Sequence, residues 1–207
     1  QKYHRSLLES GEYWRQSTIR FDIQSRVDAT LMSNLRTMRR TLINQISKRC
    51  DKSKETITSI VHSLLSRSIF IKYLEERKDS NGETVFPQGF YSNFLESAKQ
   101  YTDVLNSKEA TYSLFRTLKE KFNGDTLQVS EIEIEIITQN DLDELRTFIL
   151  GDSELESKQL ALWPFYSFDI IPIRLISSIY ELFFHLSDED DEKGTYYTPF
   201  HLVNLVM

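Results

Sequence analysis

Apolar residues recur along this chain at helical intervals. Leu31, Leu35, Met38, Leu42 and Ile46 follow one another at steps of four, three, four and four, so the spacing predicts an amphipathic helix over 27–46, with Asp28 near its start where the dipole favours an acid. A second stripe, Ile57, Ile60, Val61, Leu64, Ile71 and Leu74, predicts a helix over 53–78. Ile69, Phe70 and Tyr73 lie on its other faces, so that helix is expected at the centre of the core, and Arg67 within it must find a carboxylate or carbonyl partner. Tyr112, Phe115, Leu118 and Phe122 repeat at three, three and four, and Asn123-Gly124 offers residue types that tolerate a left-handed helix end.

Between these segments, Asp79-Ser80-Asn81-Gly82 reads as a turn, and Phe86-Pro87-Gln88-Gly89-Phe90-Tyr91 as an aromatic loop packed over the helices. Ser130 with Glu133, and Asp141 with Glu144, have capping-box spacing and predict two short helices, the second closed by Gly151. The alternation Ile132, Ile134, Ile136 is also what a half-buried strand would show, so the strand stands as the alternative to the helix there. Further on, Pro172 suits the first turn of a helix through Ile176, Ile179, Tyr180 and Phe183, the acidic run Asp188 to Glu192 reads as a linker, and Thr198-Pro199 opens a helix through Leu202, Val203 and Val206.

Composition supports a mainly α, multi-helix fold with few or no short strands. Gly and Pro together number 10 of 207 residues, too few for a many-stranded sandwich or barrel. One cysteine, Cys50, excludes an internal disulfide, and neither a CxxC pair nor a His/Cys cluster offers a zinc site, which suits a reducing, cytoplasmic setting. The start of the sequence has no apolar signal-peptide core, and the most apolar stretch, 170–184, is broken by Arg174 and Glu181, so no membrane span is expected.

The net charge of -6 hides an asymmetry: residues 1–78 carry 16 Lys and Arg against 8 Asp and Glu, whereas 79–207 carry 9 against 23. Over 36–54 the bases Arg36, Arg39, Arg40, Lys48, Arg49, Lys52 and Lys54 face one acid, Asp51. Double-stranded DNA would be drawn there by phosphate neutralisation, with Arg36, Arg39, Arg40, Lys48 and Arg49 as the candidate contacts, while the plain alternative is a solvated helix face. The free amides where Thr198-Pro199 opens a helix favour an anion such as the carboxylate of an amino-acid-like cofactor, although a Thr-Pro helix start is usually only a cap.

Ile171-Pro172 followed by Ser177-Ser178-Ile179-Tyr180-Glu181, a charged spacer, and Gly194-Thr195-Tyr196-Tyr197-Thr198-Pro199 with Leu202-Val203 resembles the lead-in to the catalytic domain of N6-adenine DNA methyltransferases of restriction-modification systems, of the type I modification-subunit or fused type II kind. Leu65 through Arg77, Phe122-Asn123-Gly124-Asp125 and Leu162-Trp163-Pro164 agree with it, so the resemblance spans 26–207. It implies an arm over 1–26, a helical domain over 27–165, a connecting helix and acidic linker over 166–192, and the start of a Rossmann-like methyltransferase domain over 193–207. It also implies that Tyr196, Tyr197, Thr198 and Pro199 flank the methionine end of S-adenosylmethionine.

That family's Asp-Pro-x-x-Gly-x-Gly turn and Asn/Asp-Pro-Pro-Tyr/Phe motif do not occur here, so this chain by itself is expected not to methylate. The sequence stops at Met207 within a helical pattern, as expected of a segment of a longer protein. A nuclease signature at Glu76-Arg77-Lys78 lacks a preceding Pro-Asp on a strand, the acids of 188–192 read as solvated charge more readily than as a cation site, and the four histidines are too scattered for a ligand set. Two roles remain: a DNA-gripping segment that walls part of a cofactor pocket, or a helical module docking specificity or nuclease subunits without touching DNA.

Overall fold

The computed structural model describes residues 23–151, apart from 79–80 and 123–126, with side chains described from Leu31 onward. In chain order the helices are α1 (Ile23–Ser47), α2 (Lys54–Glu76), α3 (Tyr101–Val104), α4 (Lys108–Phe122), α5 (Glu131–Ile136) and α6 (Gln139–Leu150), with a 3-10 turn at Phe90–Asn93 between α2 and α3. Most described residues are helical, and the one β-type pairing among them is an isolated antiparallel bridge between Lys78 and Thr84. The mainly α expectation holds for this part of the chain.

The two long helices form a hairpin. Leu31, Leu35, Met38, Leu42 and Ile46 of α1 are all buried, so the stripe predicted from sequence is the core face, and each such side chain contributes about 1.5–3 kcal/mol by leaving water. α1 begins one turn ahead of the apolar pattern, because a helix with a buried stripe extends over its polar end at little cost. α2 starts after Ser53, whose hydroxyl accepts from the Thr56 N–H at 3.2 Å. It is buried on nearly all sides, Ile57, Val61, Leu64, Leu65, Ile69 and Ile71 among others, as a girdle of apolar residues requires.

The remaining elements wrap α2. The bridge between Lys78 and Thr84 closes a turn in which Gly82 has φ 81°, a conformation that costs glycine little. Phe86 stacks on Phe90 with ring centroids 4.7 Å apart, and Tyr91 meets Phe86 edge-on at 5.7 Å; Phe86 and Tyr91 are buried, so the aromatic loop does cap the helices. Its end is tied to α2 by Glu75, whose carboxylate accepts from the Tyr101 N–H at 2.6 Å and from Lys72 at 2.7 Å. α4 lays Phe115 and Phe122 against α2, with Phe122 edge-on to Phe70 at 6.1 Å. The start of α4 is held to the last helices: the Lys108 N–H donates to Gln139 Oε1 at 2.7 Å, and its ammonium to the Ile134 carbonyl at 2.6 Å.

Residues 131–136 are helical, which resolves the alternation of isoleucines in favour of a helix. Ser130 caps it by accepting from the Glu133 N–H at 3.1 Å, while Ile132 is 45% exposed and Ile136 buried. The buried residues are Glu133 and Ile136, three apart as on one helix face, whereas a half-buried strand would bury the alternating isoleucines and expose Glu133. The second capping box is not the one predicted. α6 starts one turn earlier than Asp141 as a cap would require: Thr138 is the N-cap, and the Asp141 carboxylate, inside the first turn, accepts from the Thr138 N–H at 2.7 Å and its hydroxyl at 2.9 Å. Glu144 sits further along the helix, accepting from Gln45 of α1 at 3.5 Å. Gly151 closes α6 at φ 78°, as predicted.

Candidate nucleic-acid interface

The outward side of α1 carries Ser33, Arg36, Arg40, Asn44 and Ser47, all exposed, followed in the link to α2 by exposed Lys48 and Lys52. Because the opposite face is committed to Leu31, Leu35, Leu42 and Ile46, the helical period itself turns these residues to solvent. Arg36 and Arg40 stand one turn apart, and from Ala29 to Cys50 there is no acid on the helix to neutralise them. Among the described residues, none pairs with Arg36, Arg40, Lys48 or Lys52.

The other two basic candidates are committed to partners within the fold, although Arg49 is itself exposed. Arg39 points along the seam between α1 and α2, where its Nε donates to His62 Nε2 at 2.6 Å. Burial and the adjacent guanidinium push the His62 imidazole down to about 4, so at neutral pH it is an uncharged acceptor. Arg49, just past the end of α1, ion-pairs with the fully buried Asp141 and also donates to the Ile136 carbonyl at 3.4 Å. It thereby joins the first helix to the junction of α5 and α6. Sequence spacing grouped all five bases, whereas their partners divide them into an outward set with no partner among the described residues, Arg36, Arg40 and Lys48, and a set committed within the fold, Arg39 and Arg49.

Arg67 is fully buried and, where the sequence asked for a carboxylate or a carbonyl partner, finds one of each. Its Nη2 donates to Glu133 Oε2 at 2.6 Å, its Nε to the Ser63 carbonyl at 3.2 Å, and the guanidinium lies 4.8 Å from the Phe115 ring centroid. Tyr112 donates to the other oxygen of Glu133 at 3.3 Å, and Tyr101 shares a 2.8 Å hydrogen bond with Ser68. Burial raises both phenols above their ordinary range, so they remain neutral donors. This is a closed knot of charge between α2, α4 and α5. The neighbouring crevice lined by Leu35, Leu65, Ser68, Leu145 and Phe148 is too tight for a water molecule, and so offers no place for a ligand.

Glu76, the first residue of the weighed nuclease pattern, accepts from Lys72 at 2.9 Å, and Arg77 covers the Tyr73 ring at 5.3 Å. Both hold the end of α2. Among the described residues no group of three His, Cys, Asp or Glu is placed to hold a metal ion, and no helix is long and apolar enough to cross a membrane. The cofactor candidates Tyr196, Tyr197, Thr198 and Pro199, with the acids of 188–192, lie outside the described residues. No protein-family model matches the sequence, and neither a curated protein nor a solved structure matches it.

Proposed function

We propose that this chain is the N-terminal, DNA-contacting and cofactor-pocket-flanking segment of a site-specific, S-adenosylmethionine-dependent DNA adenine-N6 methyltransferase of a restriction-modification system. The observation that carries the DNA-contacting role is the acid-free solvent face of α1, with Arg36 and Arg40 one turn apart on an otherwise acidic protein. A cationic strip on a chain of net charge -6 draws a polyanion locally while the rest repels it, which orients the encounter. The methyltransferase assignment is supported by the resemblance over 26–207, centred on Gly194 to Pro199. Tyr196 to Pro199 would flank the methionine end of the methyl donor, whose activated methyl group supplies the chemistry in such enzymes.

The test is fluorescence anisotropy with a labelled 20-base-pair duplex at rising salt. The reading expects affinity that falls steeply with salt, and charge reversal at Arg36 and Arg40 that weakens binding without lowering the melting temperature. A duplex that fails to bind even at low salt removes the DNA-contacting role and leaves the docking module, for which the inward commitment of Arg39 and Arg49 is the favouring observation.

A further inference from the structure

We infer that α1 and the link after it read the phosphate backbone of duplex DNA and not its bases, through Arg36, Arg40, Lys48 and Lys52, while Arg39 and Arg49 are committed to partners within the fold. This rests on the DNA-contacting reading above and divides its residues.

The division follows from what each cation already does. Arg36, Arg40, Lys48 and Lys52 are exposed. Arg39 gives its Nε to His62, and Arg49, although exposed itself, pairs through Nη2 with Oδ2 of Asp141, which has no exposure of its own. Drawing Arg49 away to a phosphate would strand a buried carboxylate, which costs more than one exposed phosphate contact returns. Arg39 could leave only by stripping His62 of its donor in the α1–α2 seam.

The outward set also has the dimensions of a strand of phosphates. From Arg36 to Lys48 is twelve residues, a rise of about 18 Å along a helix, against about 3.4 Å of axis per nucleotide of one strand. The three cations Arg36, Arg40 and Lys48 therefore span roughly five phosphate spacings, and Lys52 continues the strip into the link. Between them stand Asn44 and Ser47, short hydrogen-bonding side chains that suit phosphate oxygens. Asn44 is the one exposed amide on the described stretch of this face between Arg36 and Lys48, so guanine contacts by Arg36 and Arg40 are the main base readout left, and comparing two duplexes of unrelated sequence tests for it.

The experiment measures affinity of the whole 207-residue chain for two labelled duplexes of unrelated sequence between 50 and 200 mM NaCl, with melting temperatures in parallel. Arg36→Gln, Arg40→Gln, Lys48→Gln and Lys52→Gln should each make the slope of log affinity against log salt shallower by about 0.9, equally on both duplexes and with unchanged melting. Arg39→Gln and Arg49→Gln should lower the melting temperature and leave the slope alone. If the chain binds duplex but the slope responds to Arg39 and Arg49, or if an outward substitution weakens one duplex and spares the other, the division is wrong while DNA contact stands. If polyglutamate binds and neither duplex does, the strip belongs to an acidic protein partner and both readings fall.

Discussion

Arg67 occupies the place in this protein where a charge is most expensive, with no solvent exposure, and it is tolerated because Glu133, at 2% exposure, neutralises it and Tyr112 occupies the carboxylate's second oxygen. Removing one partner strands the other in the core. Arg67→Leu or Glu133→Leu should each cost about 3–5 kcal/mol in urea unfolding, whereas the double replacement Arg67→Met with Glu133→Leu should recover most of that loss. Equal loss in single and double variants would show that the pair packs by shape and not by charge. His62 makes a second case at this scale. Its folded pKa of about 4 lies below the 6.5 of an exposed imidazole, so between these values the unfolded chain binds the proton and the folded chain does not. Stability tied to His62 is therefore fully present above about pH 6.5 and is lost as pH falls toward 4. For a partly solvated group the loss is on the order of 1–2 kcal/mol. His62→Gln keeps an acceptor for Arg39 but cannot titrate, and its unfolding midpoint should fall less than the wild type's between pH 7 and 4.5.

Short helices in this fold begin where side chains can hold them. α5 is only six residues and could not persist alone, yet Ser130 caps its first turn and Glu133 pins it to α2 through Arg67. In a capping box the third helical residue turns back to its cap; here Glu133 turns inward instead, and its N–H alone serves Ser130. α6 completes the box that α5 leaves half made, with Thr138 and Asp141. Thr138→Ala should consequently lower stability by about 1 kcal/mol, measured by chemical denaturation, while Glu144→Ala should change it by no more than about 0.5 kcal/mol. The opposite ranking would restore Asp141 as the cap. The spacing of four-residue boxes was legible, but the sequence presents Thr138 with Asp141 and Asp141 with Glu144 as rivals of the same form. What separates them is the buried setting of Asp141, where Arg49 pairs with it from ninety-two residues away in the chain.

Taken as a molecule, the helical hairpin of α1 and α2 carries its apolar sides inward and one cationic strip outward, with the acidic balance of the chain elsewhere. That polarity is what the proposed role in adenine methylation uses. Under the same proposal the chain holds one wall of a cofactor pocket and neither the glycine-rich turn nor the Asn/Asp-Pro-Pro-Tyr/Phe motif. Calorimetry should therefore find weak or no binding of S-adenosylmethionine, and a labelled methyl donor should leave no label on duplex DNA. Tight cofactor binding would mean that the pocket is built from other residues of this chain than those the resemblance supplies.

The positions of the long helices, their buried stripes, the centrality of α2, the aromatic loop and the glycine stop of α6 were all present in local order, because period, turn chemistry and caps are properties of neighbours within four residues. The need for a partner at Arg67 was likewise legible, since a charge on an apolar helix must be answered somewhere. Which carboxylate answers it, Glu133 sixty-six residues on, was decided only by the packing of α5 on α2. The same holds for the basic cluster: the sequence counts cations alike, and tertiary contacts alone commit Arg39 to His62 and Arg49 to Asp141 while giving Arg36, Arg40 and Lys48 no partner among the described residues. Charge is a property of a residue, but availability is a property of what folds against it.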